Sequence, residues 1–118
     1  MNRKVVVIDD SPPIPKAIKI ILSKEGFDVI TANDGDEGYK KVVDEKPDLI
    51  ISDIGMPKLS GYELLTLVKN NPETASIPFV FLTGEASDVR HEVNADGWLA
   101  KPFSKDSVLA AVKAALKT

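Results

Sequence analysis

The chain has 118 residues, 43% hydrophobic and 28% charged, enough to bury one core and too few for two, which excludes a disordered protein. A formal net charge of −3 gives no electrostatic reason to expect direct binding to nucleic acid or to an anionic membrane. With no cysteine and a single histidine, His91, disulfides, thiolate catalysis and multi-histidine metal centres are excluded.

The first apolar run covers residues 4–8 and ends at Asp9, Asp10 and Ser11. It is too short for a secretion signal or a bilayer span, so a cytoplasmic chain is expected. The run is β-branched and lacks polar alternation, the pattern of a strand buried on both faces of a parallel sheet. Pro12, Pro13 and Pro15 suit only a loop or the first turn of a helix. Ile14, Ala17, Ile18, Ile21 and Leu22 then recur at helical spacing, predicting a helix over 13–24 with Gly26 as its stop.

Residues 27–32 predict a second strand, less apolar than the first and therefore nearer an edge, followed by a turn at Asn33-Asp34-Gly35. Tyr39, Val42 and Val43 mark a modest helix over 36–45, closed before Pro47. A third strand over 48–53 leads through Leu49, Ile50 and Ile51 to Asp53, after which Gly55 and Pro57 turn the chain away. Leu64, Leu65 and Val68 give a helix over 61–70, broken at Asn71-Pro72, and residues 77–83 give a fourth strand with Pro78 at its beginning, where a missing donor is tolerated. Over 84–94 only Ala86, Val89 and Val93 are apolar, enough for a short helix. Residues 98–100 predict a fifth strand, and Ser104 caps a last helix whose Val108, Leu109, Val112, Ala115 and Leu116 face inward.

Five strand-helix units in alternation, without repeat or linker, predict a doubly wound α/β fold with a five-stranded parallel sheet in the order 2-1-3-4-5, flavodoxin-like in topology. In such sheets ligands bind at the carboxyl ends of the strands. Here those ends carry Asp9 and Asp10, Asp53, Thr83 and Lys101, while the acids after an edge strand two would fall outside the group.

Each of these residues alone has a plainer reading. Asp9, Asp10 and Asp53 are of the types that cap turns and helices, Thr83 suits a satisfied strand-end hydroxyl, and Lys101 suits a solvated surface lysine. Together they do not, because three converging carboxylates without a cation repel and raise one another's pKa. Lys101 supplies one positive charge, and a donor set of oxygens without histidine or cysteine suits Mg²⁺, held by Asp10, Asp53 and the Gly55 carbonyl. A carboxylate in such a place is a nucleophile for phosphorus, forming an aspartyl phosphate at Asp53. Lys101, the Thr83 hydroxyl and the Gly84 backbone N–H are then placed to meet the phosphoryl oxygens.

VVVIDDS, LIISDIGMPKLSGYELL, FVFLTG and GWLAKPF, in that order, make the sequence resemble the receiver domains of two-component response regulators, and the resemblance covers essentially all of residues 1–118 as one domain. It implies that Asp53 takes a phosphoryl group from a phosphohistidine of a sensor histidine kinase or a histidine phosphotransfer protein. It further implies that Asp9, through water, joins Asp10, Asp53 and the Gly55 carbonyl around Mg²⁺. The domain would catalyse only its own phosphorylation and dephosphorylation, and a change of shape would signal to a downstream protein. Thr83 and Trp98 would carry that switch, Trp98 standing where the family usually has tyrosine or phenylalanine; its plainer reading is a packing aromatic. The Lys101-Pro102 bond is often cis in the family, and helix one, with its prolines, is where kinases commonly dock.

The chain departs from the family pattern between Thr83 and Lys101, where the fourth helix is shorter by about one helical turn. That puts ordinary dimerisation through this face in doubt, so a monomer is expected, with residues 84–97 among the most mobile. His91 is read as a solvated helix residue. No output domain follows the last helix, which suits a stand-alone regulator or a piece of a longer protein. Among rivals, a haloacid-dehalogenase-type phosphatase would want an acid at Gly55, a pseudo-receiver would lack an acid or the lysine, and a flavin domain would not place two acids after strand one.

Overall fold

The computed structural model describes residues 3–84 and 95–117. In chain order they form β1 (Lys4–Ile8), α1 (Pro13–Ser23), β2 (Asp28–Ala32), α2 (Gly35–Glu45), β3 (Leu49–Asp53), α3 (Gly61–Asn70), β4 (Phe79–Thr83), β5 (Gly97–Ala100) and α4 (Lys105–Leu116). The short fourth helix expected over 84–94, with Ala86, Val89, His91 and Val93, lies outside the described residues apart from Gly84, and so does most of the segment expected to be mobile.

The strands form one sheet in the order β2-β1-β3-β4-β5, all pairs parallel. This is the predicted doubly wound topology, with the less apolar β2 at an edge as its composition implied. Val5, Val6, Val7 and Ile8 have no exposed surface at all, which explains why β1 shows no polar alternation. Successive residues instead alternate between two cores. Val5, Val7, Leu49, Ile51, Val80 and Leu82 pack with Ile18 and Leu22 of α1 and Val108 and Val112 of α4. Val6, Ile8, Ile50, Phe79 and Phe81 pack on the other face with Val42 of α2 and Leu64 and Val68 of α3.

The helix ends follow from local chemistry. Pro13 opens α1 and Pro15 is buried in its first turn, where neither needs a donor. The helix closes one residue earlier than the periodicity implied, and Gly26, at φ 91°, makes the following turn. Asp34, read from sequence as a turn residue, is the N-cap of α2: its carboxylate accepts the Glu37 N–H at 2.8 Å, so the helix starts at Gly35. Ser60 with Glu63, and Ser104 with Ser107, form reciprocal capping boxes at α3 and α4. Leu109 and Leu116 are only half-buried against their core, while Val108, Val112 and Ala115 are fully inside it.

Gly61 decides how closely α3 approaches the sheet. Its N–H donates to the Ile54 carbonyl at 2.7 Å. A Cβ there would overlap the Asp53 carbonyl oxygen and lie 2.9 Å from the Ile54 Cα, both backbone atoms with little freedom to yield. Gly61→Ala is therefore expected to destabilise the fold by about 2–3 kcal/mol, against about 1 kcal/mol for loss of the α3 cap in Ser60→Ala. Urea unfolding of the two variants beside wild type measures both losses, and a Gly61→Ala variant as stable as wild type would contradict the close approach.

Candidate functional site

Parallel pairing brings the carboxyl ends of the strands to one rim. Asp9 and Asp10 follow β1, Asp53 closes β3, Thr83 closes β4 and Lys101 follows β5. The register fixes the lysine's root: Thr83 pairs with Ala100, and the Lys101 N–H donates to the Thr83 carbonyl at 2.7 Å. The Lys101-Pro102 peptide is cis. Asp34 takes no part, since β2 is at the sheet edge and the Asp34 carboxylate caps α2.

The Lys101 ammonium bridges two carboxylates, 2.8 Å from Asp9 Oδ2 and 3.1 Å from Asp53 Oδ1. The Asp9 side chain is fully buried, Asp53 is 14% exposed and Lys101 is 24% exposed. Asp9 Oδ1 accepts the Ser11 N–H at 2.9 Å. Its Oδ2 atom is buried and, among the described residues, meets no aligned hydrogen-bond donor; what faces it is the charge of Lys101. Asp9, Asp10 and Asp53 each offer an oxygen within 4.8 Å of the others, with Asp10 open to solvent.

Burial pushes the Asp53 carboxyl above its ordinary value, and the neighbouring charge of Asp9 adds to the rise. The hydrogen bond and charge of Lys101 oppose this without cancelling it, and the Ile54 N–H facing the carboxylate helps a little. For Lys101, burial works downward, but the attraction of the Asp9 and Asp53 carboxylates together outweighs it and holds the ammonium above its usual range. Among the described residues one ammonium thus pairs with two of three clustered carboxylates, and the surplus is negative. An oxygen-only cluster with surplus negative charge, one buried oxygen without an aligned donor and one solvent-open carboxylate fits a hard divalent cation that keeps some of its waters.

Of the other expected site residues, Thr83 is buried at the rim and Gly84 beside it is exposed. Gly55 is exposed too, and a Cβ there would meet open space, so no backbone or packing constraint demands glycine at that position. Trp98 pairs in register with Phe81, their rings 5.1 Å apart, and is half-buried on the α2/α3 face of the sheet. The packing role of that tryptophan is therefore real, whatever else it does. Two residues have a part in the site that the sequence did not suggest: Gly61, which reads there only as a helix start, and Ser52, a fully buried hydroxyl in an otherwise aliphatic strand. The signal for Ser52 was the break in apolar character one residue before Asp53.

A parallel doubly wound sheet whose rim gathers an acid cluster around one lysine defines a class of signalling domain, and comparison with known proteins gives its family. The chain belongs to the response regulator receiver domain family, which it matches over residues 5–113. It is 42% identical over 115 residues to protein PilG of Pseudomonas aeruginosa, covering 94% of this chain and 85% of that protein. It is 39% identical to the alkaline phosphatase synthesis transcriptional regulatory protein PhoP of Bacillus subtilis over 121 residues, which is 99% of this chain but only 50% of PhoP. The structure of the chemotaxis response regulator CheY4 of Vibrio cholerae superposes with a TM-score of 0.89 at 33% identity, covering 96% of this chain and 98% of that one.

Removing Lys101 leaves the buried Asp9 facing Asp53 with no cation between them. In chelator-treated protein, Lys101→Met is expected to cost about 2 kcal/mol, less than a fully buried pair because the rim is wet, and adding Asp53→Asn should recover part of that loss. A gain from Asp53→Asn no larger in the Lys101→Met background than in wild type would argue against the repulsion. Asp53→Asn alone should raise stability at neutral pH, because the raised pKa means that the folded state disfavours the charged form. That gain should fade as pH falls through the raised folded pKa and past the ordinary value of 3.8, below which both states hold the proton. Unfolding midpoints against pH test the sign directly.

Proposed function

We propose that Asp53 is the phosphoacceptor of a two-component phosphorelay, taking its phosphoryl group from a phosphohistidine of a sensor histidine kinase or histidine phosphotransfer protein. The observation that carries this reading is the Lys101 ammonium held 3.1 Å from the Asp53 carboxylate at the rim of a three-acid cluster. One Asp53 oxygen attacks phosphorus as the phosphorus–nitrogen bond to the donor imidazole breaks. Lys101, already paired with Asp53, is in place to take up charge on a phosphoryl oxygen. The Thr83 hydroxyl and the Gly84 N–H at the end of β4 serve the remaining oxygens.

Asp9, Asp10, Asp53 and the Gly55 carbonyl would hold Mg²⁺. When bound there the ion offsets negative charge on the acceptor and the incoming group. Asp9, being fully buried and occupied by Ser11 and Lys101, suits contact through water better than direct ligation, whereas the open Asp10 suits direct ligation.

Once Asp53 carries the phosphoryl group as an acyl phosphate, its bond to Lys101 must be shared with the phosphoryl oxygens. That change, passed through Thr83 to Trp98 on the neighbouring strand, is the proposed signal to a downstream protein. The 118 residues are read as one receiver domain acting as a monomer in the cytoplasm, its chemistry confined to its own phosphorylation and dephosphorylation. Among the described residues no helix is long and apolar enough to cross a membrane. Gly55, standing where a phosphatase of similar chemistry would need a second acid, favours this reading over a hydrolase.

Incubation with Mg²⁺ and a small acyl phosphate, followed by intact-mass measurement, should show one added phosphoryl group in wild type and none in Asp53→Ala. An adduct that persists in Asp53→Ala places the acceptor elsewhere, and no adduct in either protein makes the domain a pseudo-receiver.

A further inference from the structure

Ser52 is fully buried in β3, paired in register with Ile8 of β1 on one side and Phe81 of β4 on the other. A hydroxyl in the middle of such a sheet is costly unless it is bonded. It donates to the Asp53 carbonyl oxygen at 2.9 Å, the first carbonyl after the acceptor's Cα. That oxygen lies directly beneath Gly61, with no room for a Cβ between them. The next carbonyl, of Ile54, accepts the Gly61 N–H at 2.7 Å.

Two successive peptide planes after Asp53 are thus gripped, one by the Ser52 hydroxyl and one by the start of α3. The first plane is the consequential one, because it is rooted at the Asp53 Cα, the atom from which the carboxylate side chain also springs. Tilting that plane about the Asp53 Cα changes the direction in which the side chain leaves the backbone and lets the carboxylate swing. Small misplacements of a nucleophile weigh heavily on transfer rates.

We infer that Ser52 is a positioning residue for phosphoryl transfer: by holding the Asp53–Ile54 peptide plane, its hydroxyl fixes the direction in which the Asp53 carboxylate presents its attacking oxygen. The inference rests on Asp53 being the phosphoacceptor. It differs from the plainer account of a core hydroxyl that merely satisfies itself, under which Ser52→Ala would leave transfer rates unchanged.

Acetyl phosphate with Mg²⁺ provides the probe. The bond from an Asp53 oxygen to phosphorus forms, the bond from phosphorus to the acetate oxygen breaks, and acetate leaves as the anion. Time courses of intact mass over a range of donor concentrations separate the maximal rate from the half-saturating concentration. Wild type, Ser52→Ala, Ser52→Cys, Ser52→Thr and Asp53→Asn are compared, with urea midpoints recorded for each.

Ser52→Ala and Ser52→Cys should lower the maximal rate by about five- to tenfold, the scale of one lost hydrogen bond, with the half-saturating concentration little changed. Ser52→Thr, which keeps the hydroxyl, should stay within about twofold of wild type on the same scale. Cysteine is close to serine in size and a poor donor, so it reads out the bond even where alanine disturbs the strand. A wild-type rate in Ser52→Ala and Ser52→Cys, or equal slowing in Ser52→Thr and Ser52→Ala, overturns the positioning role while leaving Asp53 as acceptor. No uptake by wild type removes the phosphoacceptor reading itself and this inference with it.

Discussion

The bridge from Lys101 to Asp9 and Asp53 is the interaction on which the rest of the site depends. A carboxylate with no exposed surface, as Asp9 is, has to be answered by a cation or by donors, and only Ser11 and Lys101 answer it among the described residues. Lys101 reaches it from β5, across the ends of β4 and β3, and meets Asp53 on the way. A single ammonium therefore ties the ends of β5 and β3 to the end of β1. The same ammonium leaves the cluster short of positive charge, which is what makes it receptive to a hard cation and to the chemistry of phosphate.

The negative charge on Asp53 works against stability at neutral pH even with Lys101 in place. Asp53 would be more comfortable protonated in the folded chain than in the unfolded one, because burial and Asp9 outweigh the help of Lys101. The two aliphatic cores on either face of the sheet carry the fold well enough to tolerate this strain at one rim, which is the common pattern where a functional site sits on a well-packed scaffold. Gly61 adds a second constraint, since the N-terminus of α3 must press on the very peptides that carry the acceptor.

Strand β5 has to be placed accurately for Lys101 to reach, and it is secured at both ends. At its start the Asp96 carboxylate accepts the Phe79 N–H at 2.8 Å, while the Asp96 N–H donates to the Phe79 carbonyl at 2.9 Å, so the pairing with β4 begins before the strand itself. Lys69, at the end of α3, lies 3.8 Å from Asp96 and donates to the carbonyls of Ala75 and Ile77 at 3.1 Å each, drawing helix, loop and strand together. At its far end the Lys101 N–H bonds the Thr83 carbonyl. Between these anchors Trp98 packs on Phe81, which in turn meets Tyr62 of α3.

Element types, sheet order and the rim residues were legible in the sequence because each rests on local or periodic signals: β-branched runs for buried strands, proline and glycine for boundaries, and carboxylates or lysine at strand ends. Element boundaries moved by a residue or two where caps decided them, as at Asp34, whose side chain converted a turn into a helix start. Nothing local told that Asp9 would be wholly buried while Asp10 stayed open, that Lys101 would form ion pairs with both Asp9 and Asp53, or that the carbonyl of Asp53 would lie under Gly61. Those facts depend on how far apart strands five, three and one stand and how near helix three comes, distances that exist only once the two cores have closed on the sheet. The sequence by itself determined which chemical groups reach the rim; the tertiary packing decided which of them are desolvated, and so which charges must pair.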